Sequence, residues 1–125
     1  MIELSIVLPC YNESENLNQI FESIETILSS KDDLEIILVD NGSTDNSFDI
    51  MSGFKSAFES KSLQIVSIKK NIGYGHGIMT GLKNAKGKVL AWTHADLQTD
   101  LNDVTDAYDL FISKSNIDQY ILKGK

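Results

Sequence analysis

The feature that most constrains this chain is a rhythm. Short, β-branched apolar runs recur between longer stretches of helical periodicity. "IELSIVLP" (Ile2–Pro9) and "LEIILVD" (Leu34–Asp40) are apolar with little alternation, as strands buried on both faces are. Between them Leu17, Ile20, Phe21, Ile24, Ile27 and Leu28 recur at helical steps along an acidic segment, which predicts an amphipathic helix. Asn12 and Glu15 have capping-box spacing at its start. The rhythm continues. Thr44 and Asp45 open a second helix carrying Ile50, Met51, Phe54 and Phe58, and "SLQIVSIK" (Ser62–Lys69) reads as a third strand. A glycine-rich turn then leads into a third helix from Gly77, with Gly87 as its stop. "KVLAWTH" (Lys88–His94) is a fourth strand. Leu101–Ser113 is a fourth helix with Val104, Ala107, Tyr108 and Phe111 on one face, and "DQYILKGK" begins a fifth strand. Strand and helix in strict alternation predict an α/β fold, a mainly parallel sheet between helix layers.

At 125 residues, with 42% hydrophobic and 23% charged positions, the chain reads as one globular domain, 1–125. A net charge of −7 argues against nucleic acid, which would be repelled, whereas acidic groups can gather a divalent cation. The apolar runs fall far short of the roughly 20 residues that span a bilayer, and no signal-peptide pattern opens the chain. The expectation is a cytoplasmic protein without a membrane segment. The single Cys10 has no internal disulfide partner and stands where an apolar strand ends. It is either a small packing residue or a reactive thiol.

Parallel α/β sheets bind ligands at the carboxyl ends of their strands. Polar clusters stand at those ends: Tyr11, Asn12 and Glu13 after the first strand, Asp40, Asn41 and Ser43 after the second, His94, Asp96 and Gln98 after the fourth. Asp40 has two open readings, an acceptor for a ligand hydroxyl or N–H, or a turn residue bonding its own backbone. "NIGYGHGIMTG" crowds glycines at a helix start, but its spacing departs from G-x-G-x-x-G and it does not follow the first strand, so the signal for NAD is weak. Gly77 and Gly81, four apart, are expected to let the helix approach the sheet closely. Gly73 and Gly75 are expected to form the turn and to turn backbone N–H groups toward a ligand, with His76 an exposed loop residue. In "HADLQTD", imidazole, carboxylate and amide oxygen suit Mn²⁺ or Mg²⁺ with open positions, or else form a polar loop capping the next helix.

Together "SIVLPCYNESENL", "EIILVDNGSTDNS", "NIGYGHGIMTGLKNAKG" and "HADLQTD", in this order, resemble family 2 glycosyltransferases of the Rossmann-like GT-A fold. The "ADLQ" form is nearest the polyprenyl-phosphate branch, the dolichol-phosphate mannose synthase-like enzymes. The resemblance implies an inverting transferase with a UDP- or GDP-sugar donor and an acceptor such as a polyprenyl phosphate. Pro9, Tyr11 and Glu13 would contact the nucleoside, and Asp40 the base or ribose. Asp96 matches the second acid of the D-x-D metal motif and Gln98 a metal-binding Gln. His94 stands where the motif has its first Asp, and imidazole can also ligate Mn²⁺. The family's acceptor segment and catalytic base lie beyond "ILKGK". The expectation is therefore a donor-binding fragment with little turnover alone, self-associating as a homodimer through bare surface, and membrane-associated as a full-length protein. The alternatives are a nucleotide-binding module without catalysis, an NAD-dependent oxidoreductase and a flavodoxin-like signalling domain.

Overall fold

A computed structural model describes residues 2–93, 101–113 and 120–123. The order of elements is β1 (Leu4–Cys10), α1 (Leu17–Ser30), β2 (Leu34–Asn41), α2 (Ser47–Phe58), β3 (Leu63–Ile68), α3 (Tyr74–Lys83), β4 (Val89–Trp92), α4 (Leu101–Ile112) and β5 (Tyr120–Lys123). The strands form one sheet, ordered β3-β2-β1-β4-β5, with every pairing parallel.

Every residue of β1 and β2 is buried, because helices cover both faces. On one face Leu4, Ile6, Leu8, Leu34, Ile36 and Leu38 meet Leu17, Ile24 and Ile27 of α1, Met51 and Phe54 of α2, and Leu101 and Val104 of α4. Phe21 stacks on Phe54 with ring centroids 4.1 Å apart, tying α1 to α2. On the other face Val7, Ile37 and Val39 pack under α3, with Leu82, Ala85 and Trp92 around them. Each such aliphatic side chain contributes about 1.5–3 kcal/mol on burial. The expected helices on both faces are therefore present.

Pro9 lies in a central strand, where a missing N–H normally costs a ladder bond. Here it costs none. The Val7 carbonyl accepts from Thr93 N–H on the β4 side, so odd residues of β1 face β4. The β1–β4 pairing ends at Val7↔Trp92, and Pro9 falls beyond it.

Some boundaries differ from the sequence expectation, each for a local reason. Helix α1 starts at Leu17 after Asn16, which makes no side-chain cap bond, so Asn12 and Glu15 form no capping box. Thr44 and Asp45 precede α2 rather than opening it; Asp45 Oδ1 instead accepts from Ser47 N–H at 2.9 Å. Helix α3 begins at Tyr74, so Gly75 and His76 belong to its first turn and not to the loop. Gly87 is not the stop of α3, which ends at Lys83 with Asn84 as its cap. Gly87 serves close approach instead: a Cβ there would lie 2.6 Å from Ser5 Oγ. Ala107 is exposed, and the buried positions of α4 run through Leu101, Val104 and Thr105.

A buried carboxylate binds the lower end of the sheet together. Glu35, 2% exposed, accepts from Ser5 Oγ at 2.6 Å, Gln64 Nε2 at 3.0 Å and Lys86 N–H at 2.6 Å. Ser5 Oγ in turn accepts from Gly87 N–H at 2.8 Å. These bonds link β1, β2, β3 and the α3–β4 connection, and fix where α3 lies.

Candidate functional site at the strand ends

The chain runs from β1 through α1 to β2 on one side of the sheet, and from β3 through α3 to β4 on the other. Strands β2 and β4 flank β1, so the order reverses at β1. Such a reversal opens a crevice at the carboxyl ends of the strands.

The register sets Cys10 opposite Asp40 at that edge. Cys10 is 1% exposed, and its thiol Sγ donates to the Leu8 carbonyl at 3.6 Å. Burial pushes its pKa far above the ordinary thiol value, and the negative charges of Glu13 and Asp40 push it further. Cys10 is thus a packing residue and not a reactive thiol, and both carboxylates stand close to it.

Asp40 is 4% exposed and its Oδ1 accepts from Ser43 N–H at 3.2 Å. Among the described residues its Oδ2 accepts no hydrogen bond. One oxygen thus serves the turn, while the other has no such duty. Tyr11 is exposed and Glu13 half-buried, with Glu13 Oε2 accepting from Asn16 Nδ2 at 2.9 Å. Pro9 is buried in β1 behind them.

The loops carrying these groups are fastened in series. Asn12, on the β1–α1 loop, bonds Ser43, Thr44 and Asp45 of the β2–α2 loop. Glu13 N–H donates to Ser47 Oγ at 3.1 Å, and Ser14 N–H to Asp45 Oδ2 at 3.4 Å. Hydrogen bonds from Ser47, chiefly its hydroxyl, and from Ser14 hold the Asp45 carboxyl below the usual carboxylate range, against a partial desolvation. The β2–α2 loop then presses on the β3–α3 loop. Gly42 has φ 74, and a Cβ there would lie 2.7 Å from the Lys70 carbonyl carbon and closer still to Asn71 N. Only glycine satisfies both that φ and that space. Next to it Asn41 Nδ2 donates to the Gly73 carbonyl at 3.3 Å. Asn41 Oδ1 is buried and, among the described residues, unpartnered, pressed against Gly77, where a Cβ would lie 3.0 Å from it.

Gly73 has φ 125, which glycine alone adopts readily, and its N–H donates to Asn71 Oδ1 at 2.9 Å. Gly75 stands in the first turn of α3, where helix N–H groups have no intrahelical partner. His76 is exposed. Tyr74 meets Trp92 edge to face at 5.9 Å, which brings the start of α3 to the end of β4. Gly77 and Gly81 do admit α3 to the sheet; a Cβ at Gly81 would lie 2.9 Å from Val39 Cγ2.

His94, Asp96 and Gln98 lie outside the described residues. Thr93, the last described residue before them, donates its N–H to the Val7 carbonyl of β1 at 3.2 Å. Among the described residues no three or more His, Cys, Asp or Glu side chains gather to hold a metal. The sequence had marked Pro9, Tyr11, Glu13, Asp40, Gly73 and Gly75, and the fold brings them to one edge. It had not marked the roles of Asn12, Asn41 or Gly42, although a Gly directly after a strand-end Asp-Asn pair signals a positive-φ turn.

The profile of glycosyl transferase family 2 matches residues 5–120. Dodecaprenyl-phosphate galacturonate synthase of Rhizobium johnstonii is 32% identical over 104 residues, covering 82% of this chain and 30% of that protein. Undecaprenyl-phosphate 4-deoxy-4-formamido-L-arabinose transferase of Proteus mirabilis is 34% identical over 97 residues, covering 77% of this chain and 29% of that protein. The chain therefore spans about a third of the length of the curated relatives it matches. Two solved structures share the fold. The mannosyltransferase PcManGT from Pyrobaculum calidifontis, in complex with GDP-Man and Mn²⁺, superposes with TM-score 0.65 at 24% identity, over 75% of this chain and 27% of that one. Residues 1–349 of S. aureus TarS in complex with UDP-GlcNAc give TM-score 0.69 at 21% identity, over 90% of this chain and 32% of that one.

Proposed function

The chain belongs to glycosyl transferase family 2 and has the Rossmann-like α/β architecture of the GT-A fold; from that membership we propose that it forms the donor-binding part of an inverting sugar transferase. The donor is a UDP- or GDP-sugar and the acceptor of the whole protein a polyprenyl phosphate. The named relatives, which are polyprenyl-phosphate transferases and synthases, support that acceptor class. The observation that carries the reading is that Tyr11, Glu13 and buried Asp40 follow or end β1 and β2 at the carboxyl edge of the sheet, where the strand order reverses.

In this reading the exposed ring of Tyr11 stacks on the nucleoside, while Pro9 backs it and Glu13 accepts from its hydroxyls. The Oδ2 of Asp40 accepts from the base or ribose. Because Asp40 is almost fully buried, a ligand that offers it no donor would leave a carboxylate oxygen unpaired at a cost, so its bond contributes discrimination as well as affinity. Gly73 lets the backbone approach the ligand, and the N–H of Gly75 faces the diphosphate at the start of α3. The donor set of His94, Asp96 and Gln98 fits Mn²⁺ or Mg²⁺, and those three would hold it. When bound, the cation supplies charge neutralisation for the departing nucleoside diphosphate.

We assign this chain, as one domain, the donor and not the acceptor. No helix among the described residues is long and apolar enough to cross a membrane. The site would work on the cytoplasmic side, with the whole protein associated with the membrane that holds its acceptor. Strand β5, at the end of the sheet, is the surface through which two copies would pair as a homodimer. His94 in place of the motif's first acid favours a second reading, a nucleotide-binding module without catalysis.

Calorimetric titration of UDP and GDP, each with and without Mn²⁺, tests the assignment. Mn²⁺-dependent binding of one nucleotide, lost in Asp96→Ala, is the expected result. Binding of neither would overturn it.

A further inference from the structure

Among the described residues, Asn12 makes more cross-loop bonds than any side chain that the sequence marked as a ligand contact. It is exposed, with a left-handed backbone at φ 52. Asn adopts that conformation more readily than most non-glycine residues. Its Oδ1 accepts from Thr44 N–H at 2.8 Å, Asp45 N–H at 3.3 Å and the Thr44 hydroxyl at 3.4 Å. Its Nδ2 faces Thr44 Oγ1 at 3.2 Å, and its own N–H donates to Ser43 Oγ at 3.0 Å. All three partners lie between Asp40 and the start of α2.

The position of these bonds gives them meaning. Asn12 stands between Tyr11 and Glu13, while Ser43 N–H is the group that holds Asp40 Oδ1. One amide side chain thus spans the gap between two loops that present nucleoside contacts from different strands. Being exposed, it contributes little apolar burial to the fold. A side chain so placed acts through its neighbours.

We propose that Asn12 is a positioning residue of the nucleotide site, holding Tyr11 and Glu13 in fixed relation to Asp40. This deepens the donor-binding reading and rests on it. The left-handed backbone turns the amide toward the β2–α2 loop, and the amide's oxygen gathers two N–H groups that no helix satisfies. The pocket is thereby organised before ligand arrives, and ordering these loops need not be deducted from binding.

Three variants separate the roles. Asn12→Gly keeps access to the positive φ but deletes the bridge. Asn12→Asp keeps the acceptor oxygens. Asp40→Asn weakens the contact that the bridge is meant to place. Nucleotide affinity, measured by calorimetry beside the thermal unfolding midpoint, should fall about tenfold in Asn12→Gly, as expected for lost preorganisation. The midpoint should stay near that of the parent, and Asn12→Asp should restore most of the affinity. In the Asn12→Gly background, Asp40→Asn should cost less than it does alone, since contacting groups couple.

An Asn12→Gly variant that binds nucleotide as tightly as the parent overturns the role of Asn12 while leaving the donor-binding reading intact. Strict additivity with Asp40→Asn does the same. A fall in midpoint that accounts for the lost affinity, without rescue by Asp, makes Asn12 merely structural and also overturns it. A parent chain that binds neither nucleotide overturns the donor-binding reading, and this inference falls with it.

Discussion

Alanine at Gly81 should destabilise the chain even though alanine is the better helix former. Gly81 lies inside α3, directly above the sheet. An added Cβ would stand 2.9 Å from Val39 Cγ2 and closer still to Val7 Cγ1. Both valines are 0% exposed and branched at Cβ, so neither can swing aside within the close-packed second layer. Relief of glycine's entropy cost in a helix favours Ala by about 1 kcal/mol. Overpacking a filled core costs about 1–3 kcal/mol, and a methyl wedged between two fixed branched side chains belongs at the upper end. The net expectation is a loss of about 2 kcal/mol, which corresponds to a fall in Tm of about 6–10 °C for a domain this size. Gly53 in α2 is the internal control, because an added Cβ there meets nothing within 4 Å. The same substitution at Gly53 should stabilise by about 0.5–1 kcal/mol. Urea unfolding followed by circular dichroism, with a common slope for the three proteins, measures both signs. Trimming Val7 to Ala in the Gly81→Ala background should recover part of the loss, though it is destabilising alone. A Gly81→Ala chain as stable as the parent would refute the close approach of α3, and with it the placement of Gly73 beside Asn41.

Cys10 should resist thiol reagents in the native state and react only as fast as the chain opens, because burial and two nearby carboxylates oppose the thiolate; labelling at the rate of a free thiol would contradict this. Glu35→Ala should cost about 3 kcal/mol in urea unfolding, since it strips the partner from Ser5, Gln64 and Lys86 N–H at once, and Glu35→Gln should cost less. Asp45 has a carboxyl pKa lowered by folding, so its contribution is fully present above the ordinary carboxylate pKa and is lost as pH falls through the lower folded value. NMR titration of its side chain should give a midpoint below that of an unstructured Asp, and a midpoint at or above it would refute the bonds from Ser47 and Ser14.

Most of the fold was legible because it is written in period. The doubly buried β1 and β2 carry apolar residues at both parities, and α1 repeats them at helical steps, so neither pattern fits the other structure. The boundaries were less legible because local polar chemistry competes there. Asn12 and Glu15 have the spacing of a capping box, yet Asn12 spends its side chain on a loop some thirty residues away, an option that no local rule contains. Likewise Gly87 looks like a helix stop, and its actual constraint is the backbone of β1 beneath it. Ala107 fits the apolar stripe of α4 by spacing, but the buried face of that helix runs through Leu101, Val104 and Thr105 instead.

The same division holds at the site. Its strand-end residues could be read in advance because a parallel sheet delivers every such position to one edge. What fixes their mutual placement could not, since it consists of contacts between loops: Asn12 on Thr44 and Asp45, Gly42 on Asn71, Asn41 on Gly73. Each of these joins segments whose order along the chain says nothing of their contact. The proposed donor pocket would therefore be a property of three fastened loops as much as of its carboxylates. Gly42 shows the consequence. Substituting it by Ala would force a strained φ and drive the β2–α2 loop from Asn71, so nucleotide affinity should fall although residue 42 is no part of the proposed contact set. Unchanged affinity in Gly42→Ala would mean that the loops are set by the strands alone.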